Sequence, residues 1–275
     1  MKFLNSIIYV YIFLFGRHVF AKFNVILFKI IIKSLGYNNY GSYNYTGEKN
    51  FVKILEKYRV RLCLDIGANV GDYSKMLLKL TNAKVIALEP NKFSFKILKK
   101  IRLRNKKRFT CLNVAASDKK KKGYLYYGTN TSELASIMQN TNKLNFIDGK
   151  NSNKMKIQLS TLDEIFLKNK DKFKNLDFIK IDTEGHEIEV LKGSKKIIKI
   201  LKPKFLQIEF NTHQLLRSIT LQDYKKLLRN YNVFRLLPFG RKLLSVNVNK
   251  PEDNIFHLSN IVFIRKSIAF SVNYV

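Results

Sequence analysis

From about residue 51 onward, short unbroken apolar runs alternate with stretches whose apolar residues recur every three or four positions. Arg61-Leu62-Cys63-Leu64 and Lys84-Val85-Ile86-Ala87-Leu88 are runs of the first kind. They predict strands buried on both faces at 61–66 and 84–89, and a third run predicts a strand at 109–115. Residues 51–58 read as a short helix, and helical periodicity predicts two more at 72–80 and 92–102. Alternating strand and helix of this kind builds a parallel sheet with helices on both faces. Residues 177–181 and 205–209 supply the fourth and fifth core strands, and 233–237 and 260–264 the last two. The expected architecture is an α/β, Rossmann-like, doubly wound sheet of seven mostly parallel strands.

Between these elements the signals are weaker. Residues 123–127 read as an added strand and 155–159 as strand-like. Thr161 with Glu164 makes a capping box for a helix reaching about Lys168. Residues 224–229 read as helical. Residues 128–151 are polar and irregular, placed to cover a ligand or shape a site. Residues 238–259 are expected to form a long loop at the rim.

The amino terminus has a different pattern. Residues 1–47 contain no acid, and residues 3–15 are apolar except for Asn5 and Ser6. That stretch is too short to span a bilayer alone. Within 19–33 a second apolar helix is expected, with His18, Lys22, Lys29 and Lys33 on one narrow face. A basic stripe on an apolar helix suits the headgroup region of an anionic membrane. A helix covering the domain or a dimer interface, and a signal peptide, fit the same pattern. Residues 36–47, rich in Gly, Asn, Ser and Tyr, read as a linker. Two regions follow: an amino-terminal segment, 1–47, and a domain, 48–275.

Composition narrows the partners. The 275 residues carry a formal net charge of +31, which raises nucleic acid as a partner. Lysine outnumbers arginine 40 to 11, however, and bidentate phosphate and base recognition favours arginine. Nucleic acid is therefore the less favoured partner. The two cysteines, Cys63 and Cys111, lie in expected strands, so neither a disulfide framework nor a cysteine zinc site is present. A reducing cytoplasmic compartment follows, with attachment to the membrane through residues 1–35 on the first reading of that segment.

The chemistry concentrates at strand ends. Asp65-Ile66-Gly67-Ala68-Asn69-Val70-Gly71 is a strand end, a glycine turn and a helix start, which together bring backbone amides to a polar ligand. Glu89 ends the next strand, where a carboxylate accepts hydrogen bonds from ribose hydroxyls. The dinucleotide fingerprint G-x-G-x-x-G is missing, which argues against a nicotinamide enzyme. An acid before the turn and no pyrophosphate cradle suit a nucleoside bearing a positively charged amino-acid moiety, as in S-adenosylmethionine. Asp65, Gly67, Asn69, Gly71 and Glu89 are the candidate cofactor-binding residues. Asp182, Glu184, His186, Glu209 and His213 are the candidate bases. Asp182, Glu209 and Asn211 offer oxygen ligands to a metal, but ordinary strand-end carboxylates account for them and no metal is assigned.

Asp65 to Gly71, Glu89-Pro90-Asn91, Asn113-Val114-Ala115-Ala116-Ser117-Asp118, Ser160-Thr161-Leu162-Asp163-Glu164 and Lys180-Ile181-Asp182-Thr183-Glu184-Gly185 form an ordered series. In that series the chain resembles the FkbM family of S-adenosylmethionine-dependent methyltransferases, over about residues 51–266. The resemblance implies the class I methyltransferase fold, with Pro90, Ala115 and Ala116 joining the cofactor-binding set. It places Asp182 and Glu184 at the acceptor side. His213, after the fifth strand, is the imidazole candidate for the base. The reaction implied is O-methylation of a hydroxyl on a sugar, polyketide, glycan or lipid-linked metabolite. An RNA methyltransferase using the basic surface and a non-catalytic binding module on the same fold are the alternatives. No Asn/Asp-Pro-Pro-aromatic motif and no Pro-Cys nucleophile occur, which weakens nucleic-acid amino and C5 methylation.

Overall fold

The computed structural model describes residues 2–138, 151–167, 173–240 and 243–269. Two helices come first, α1 (Lys2–Phe15) and α2 (Ala21–Ser34), with a short 3-10 turn at His18–Phe20 leading into α2 and a 97° bend between Phe15 and His18. His18 lies in that turn rather than in α2 itself. The α/β body follows as α3 (Glu48–Lys57), β1 (Leu62–Ile66), α4 (Asp72–Leu80), β2 (Lys84–Leu88), α5 (Lys92–Arg104), β3 (Phe109–Leu112), β4 (Ala115–Ala116), β5 (Lys121–Tyr127), β6 (Asn153–Ser160), α6 (Leu162–Leu167) and β7 (Leu176–Ile181). It ends with α7 (Glu187–Lys192), α8 (Lys195–Leu201), β8 (Phe205–Phe210), α9 (Thr212–Leu216), α10 (Leu221–Leu227), β9 (Tyr231–Leu236), β10 (Leu243–Ser245) and β11 (Ser259–Arg265).

The main sheet runs β10-β9-β11-β8-β7-β1-β2-β3. Strands β3, β2, β1, β7 and β8 are parallel, and β11 is antiparallel to both β8 and β9. Alternate residues of β1 enter separate cores: Leu62, Leu64 and Ile66 on one face, Cys63 on the other. That two-sided burial is why the strands read as unbroken apolar runs. After β3 the chain crosses back past β1 to β7. The switch point between β1 and β7 opens a crevice at the carboxyl ends of the strands.

Several expectations change. Among the described residues the main sheet has eight strands, because β10 forms inside the stretch expected to be a rim loop. The strand expected at 109–115 stops at Leu112. There the Asn113 amide donates to the carbonyls of Glu89 (2.8 Å) and Pro90 (3.0 Å), and the chain turns out of the ladder. Ala115 and Ala116 then pair with β6 in a separate three-stranded sheet, β4-β6-β5. Helix α10 starts at Leu221, ahead of the expected 224, because Thr220 and Asp223 form a capping box. Residues 36–47 are no free linker: Tyr37, Asn39 and Thr46 are buried in the domain. The far part of the 128–151 cover, residues 139–150, and the expected helix end at Lys168 lie outside the described residues.

Candidate active site

The carboxyl ends of β1, β2, β7 and β8 open onto a cavity of about 500 Å³. Among the described residues eight acids line it, against one base, Lys180. A strongly basic protein thus encloses a strongly acidic chamber.

The turn after β1 forms one wall. Gly67 has φ +79°, and a Cβ there would stand 1.7 Å from the Asp182 carbonyl oxygen, so no side chain fits between β1 and β7. Asn69, at φ +44°, turns its amide to donate to Glu89 Oε2 at 2.8 Å. Its side-chain oxygen accepts from Ser94 Oγ at 2.9 Å. Glu89 Oε1 accepts from the Asn91 amide at 2.7 Å. Burial pushes the Glu89 carboxyl up to about 7, against the lowering effect of those two amides. Asp65 is fully buried; Oδ2 accepts from Ser74 Oγ at 2.6 Å, while Oδ1 has no partner among the described residues. Burial raises this carboxyl as well. Pro90, Ala115 and Ala116 line the same cavity. Gly71 does not. It backs onto α5, where a Cβ would meet Leu98 and Ile101 at 2.6 Å, so its role is helix packing.

The opposite wall carries Asp182, Glu184 and Glu209, each offering an oxygen within 4.8 Å of the others. Burial, then the charge of Asp182, pushes Glu184 and Glu209 well above the usual carboxylate range. Lys180 sits behind them, its Nζ 2.5 Å from Asp182 Oδ2 and 4.9 Å from the centre of the Tyr73 ring. Burial opposes the Lys180 charge, but Asp182, Asp65 and Glu48 together hold it above the ordinary lysine range. The Asn211 side chain caps α9 and donates to Glu209 Oε2 at 3.2 Å.

His213 does not reach the cavity. It lies behind Gly185, with Nδ1 2.7 Å from Asn211 Oδ1 and 3.6 Å from Glu184. Burial pushes its imidazole down to about 4, leaving it neutral at physiological pH. His186 is also outside the cavity, paired with Ser117 Oγ at 2.9 Å.

Sequence reasoning missed three contributors. Lys180 was visible only as part of a motif. Glu48, which accepts from Thr46 Oγ1 and Gln207 Nε2 at 2.8 Å each, precedes the expected first helix. The strap 36–47 supplies Asn39, Tyr40 and Tyr43 to the wall. The first acid after 47 acid-free residues was the one signal for Glu48.

The family profile described as Methyltransferase FkbM domain matches residues 65–231, more than half of the chain. The chain belongs to the FkbM methyltransferase family. The FkbM match takes in Asp65 to Glu209 and leaves out Glu48, the strap and β11. Among solved structures the chain is similar to the methyltransferase FkbM from Methylobacillus flagellatus KT, at 18% identity and TM-score 0.48, over 74% of this chain and 44% of that one. It is similar to the O-methyltransferase from Bacillus cereus in complex with SAH, at 11% identity and TM-score 0.40, over 79% of this chain and 80% of that one. P. horikoshii TYW2 in complex with MeSAdo follows, at 13% identity and TM-score 0.38, over 83% and 65%. The chain thus spans less than half the length of the FkbM structure it matches. None of the curated proteins matches the sequence. The FkbM chain has the class I methyltransferase fold, and S-adenosylmethionine is the cofactor expected in its crevice. The orphaned Asp65 oxygen, the Glu89 carboxylate and the side-chain-free approach at Gly67 fit such a group.

Proposed function

We propose that this FkbM methyltransferase transfers a methyl group to a hydroxyl of a sugar, glycan or lipid-linked metabolite, at the cytoplasmic face of a membrane. One observation carries the reading: a single cavity holds Asp65 and Glu89 at one wall and Asp182, Glu184 and Glu209 at the other. Bound S-adenosylmethionine supplies an electrophilic methyl group. Glu89, already oriented by two backbone amides, presents its remaining lone pairs to ribose hydroxyls. Asp65 Oδ1 faces a cationic amino-acid moiety. Val114, Leu125 and Ile137 give an apolar surface for a base. The excess of carboxylates favours a cationic ligand throughout.

At the acceptor wall, burial favours the protonated forms of Glu184 and Glu209, and the ionised form of either is a stronger base than an ordinary carboxylate. In its ionised form either would accept the hydroxyl proton as the methyl–sulfur bond breaks, leaving a neutral thioether, and the methyl–oxygen bond forms. Lys180 holds Asp182 in place and balances part of the negative charge.

Calorimetric titration of the folded protein with S-adenosylmethionine, alongside NADH, tests the first half. Saturable binding of the former alone is expected. Binding of NADH alone, or of neither, overturns it. A methyl-transfer screen over glycan, lipid-linked and RNA acceptors tests the second half; transfer confined to RNA refutes it.

A further inference from the structure

Eighteen of the 26 exposed large hydrophobic side chains among the described residues lie between Phe3 and Leu35. Every residue from Ile7 to Leu14 in α1 is exposed. Consecutive helical residues step by about 100°, so α1 is apolar and uncovered around its whole circumference. A protein partner covers one face of a helix, whereas hydrocarbon surrounds it. At 14 residues α1 is about 21 Å long, shorter than a bilayer core but long enough to enter one leaflet.

The charges point to the same partner. Residues 1–47 hold five bases and no acid, and Lys22 and Lys29 stand exposed on α2. The two helices brace each other at the bend. Tyr11 donates to Asn24 Oδ1 at 2.6 Å, and Asn24 Nδ2 donates to the Phe15 carbonyl at 2.8 Å.

The far end of α2 is built into the domain. Ile32 is buried, and the Leu35 carbonyl accepts from Arg235 Nη1 at 3.2 Å. The Arg235 guanidinium lies 3.7 Å over the Tyr37 ring, whose hydroxyl donates to the Glu252 carbonyl at 2.6 Å. Two residues later Asn39 is cavity wall. The five steps from Ser34 to Asn39 span at most about 18 Å.

We propose that α1 and α2 dock the enzyme on an anionic lipid bilayer, α1 entering one leaflet with Lys22 and Lys29 at the headgroups, and that the cavity draws a lipid-borne hydroxyl from that surface. The acceptor part rests on the methyl-transfer reading; the docking part does not. Flotation of the full chain with vesicles tests it. The chain floats with vesicles of phosphatidylglycerol and phosphatidylcholine in equal parts, and far less with phosphatidylcholine alone. Replacing Lys22 and Lys29 by Gln weakens binding about fivefold for each lysine. Ile8→Glu with Phe13→Glu, both on the uncovered helix, abolishes flotation and leaves the S-adenosylmethionine titration unchanged. Full chain that stays unbound to either vesicle, or a glutamate variant that floats like the parent, overturns the proposal. So does a dimer that vesicles leave intact and the glutamate variant dissolves, since the cover is then a second copy. Flotation without S-adenosylmethionine binding sustains the docking and removes only the methyl-transfer reading.

Discussion

If Glu89 accepts the ribose hydroxyls as proposed, cofactor affinity is expected to depend on pH. Its carboxyl is raised from the ordinary 4.5 to about 7, chiefly by burial. Ribose hydroxyls that donate to it need the ionised form. Binding therefore has to remove a proton wherever the free protein holds one. The apparent dissociation constant scales as one plus the ratio of protonated to ionised Glu89. Relative to its alkaline limit, affinity falls about twofold at pH 7, about elevenfold at pH 6 and about a hundredfold at pH 5, the last worth about 2.7 kcal/mol. Near pH 6 about nine-tenths of a proton is released per ligand. Calorimetry in two buffers of different ionisation enthalpy reads both quantities. Glu89→Gln isolates this residue's share, because Asp65 is raised too. At pH 8 the variant should bind about 1.5–3 kcal/mol more weakly, and its affinity should vary less with pH. A parent profile that is flat between pH 5.5 and 8, without proton release, would refute the reasoning. The same shift works on stability. A carboxyl raised on folding contributes most below its unfolded value, and that contribution is lost as pH climbs to about 7, a change of about 3 kcal/mol in the free protein.

Lys180→Met leaves Asp65, Asp182 and Glu48 without their buried cation and should cost about 3–5 kcal/mol of unfolding free energy in urea, more at alkaline pH. An unaltered midpoint would mean solvent screens the cluster. Gly67→Ala drives a methyl into the Asp182 carbonyl and should cost at least about 3 kcal/mol by the same measurement. His213→Ala should change S-adenosylmethionine affinity by less than about twofold while losing about 1–3 kcal/mol of stability with its Asn211 contact. Folded His213→Ala protein that has lost all methyl transfer would return the base to the imidazole.

What was legible followed from local rules. Strands β1 and β2 are buried on both faces, so their sequences are unbroken apolar runs, and the turn between β1 and α4 declares itself by its glycines. Asp65 and Glu89 then fall at strand ends by counting. Asp182 and Glu209 were readable for the same reason. The strap 36–47 was not, because its order comes from distant partners: Asn39 pairs with Leu258, and Tyr45 with Phe239. Composition reports local freedom, and here tertiary hydrogen bonds override it. His213 misled because position after a strand fixes where the backbone lies, not which side of Gly185 the ring occupies. Thr220 and Asp223 carry the helix start, three residues ahead of the span expected at 224–229.

The place of β11 bears on how the chain is made. In the sheet, Ser259–Arg265 lies between Phe205–Phe210 and Tyr231–Leu236, which are synthesised earlier. Until it emerges from the ribosome, both neighbours present bare edges across an open slot. Two unpaired edges on a nascent chain invite pairing with other chains. A translation product stopped short of residue 259 keeps every acid of the cavity, yet it would behave as an aggregation seed rather than as a smaller enzyme.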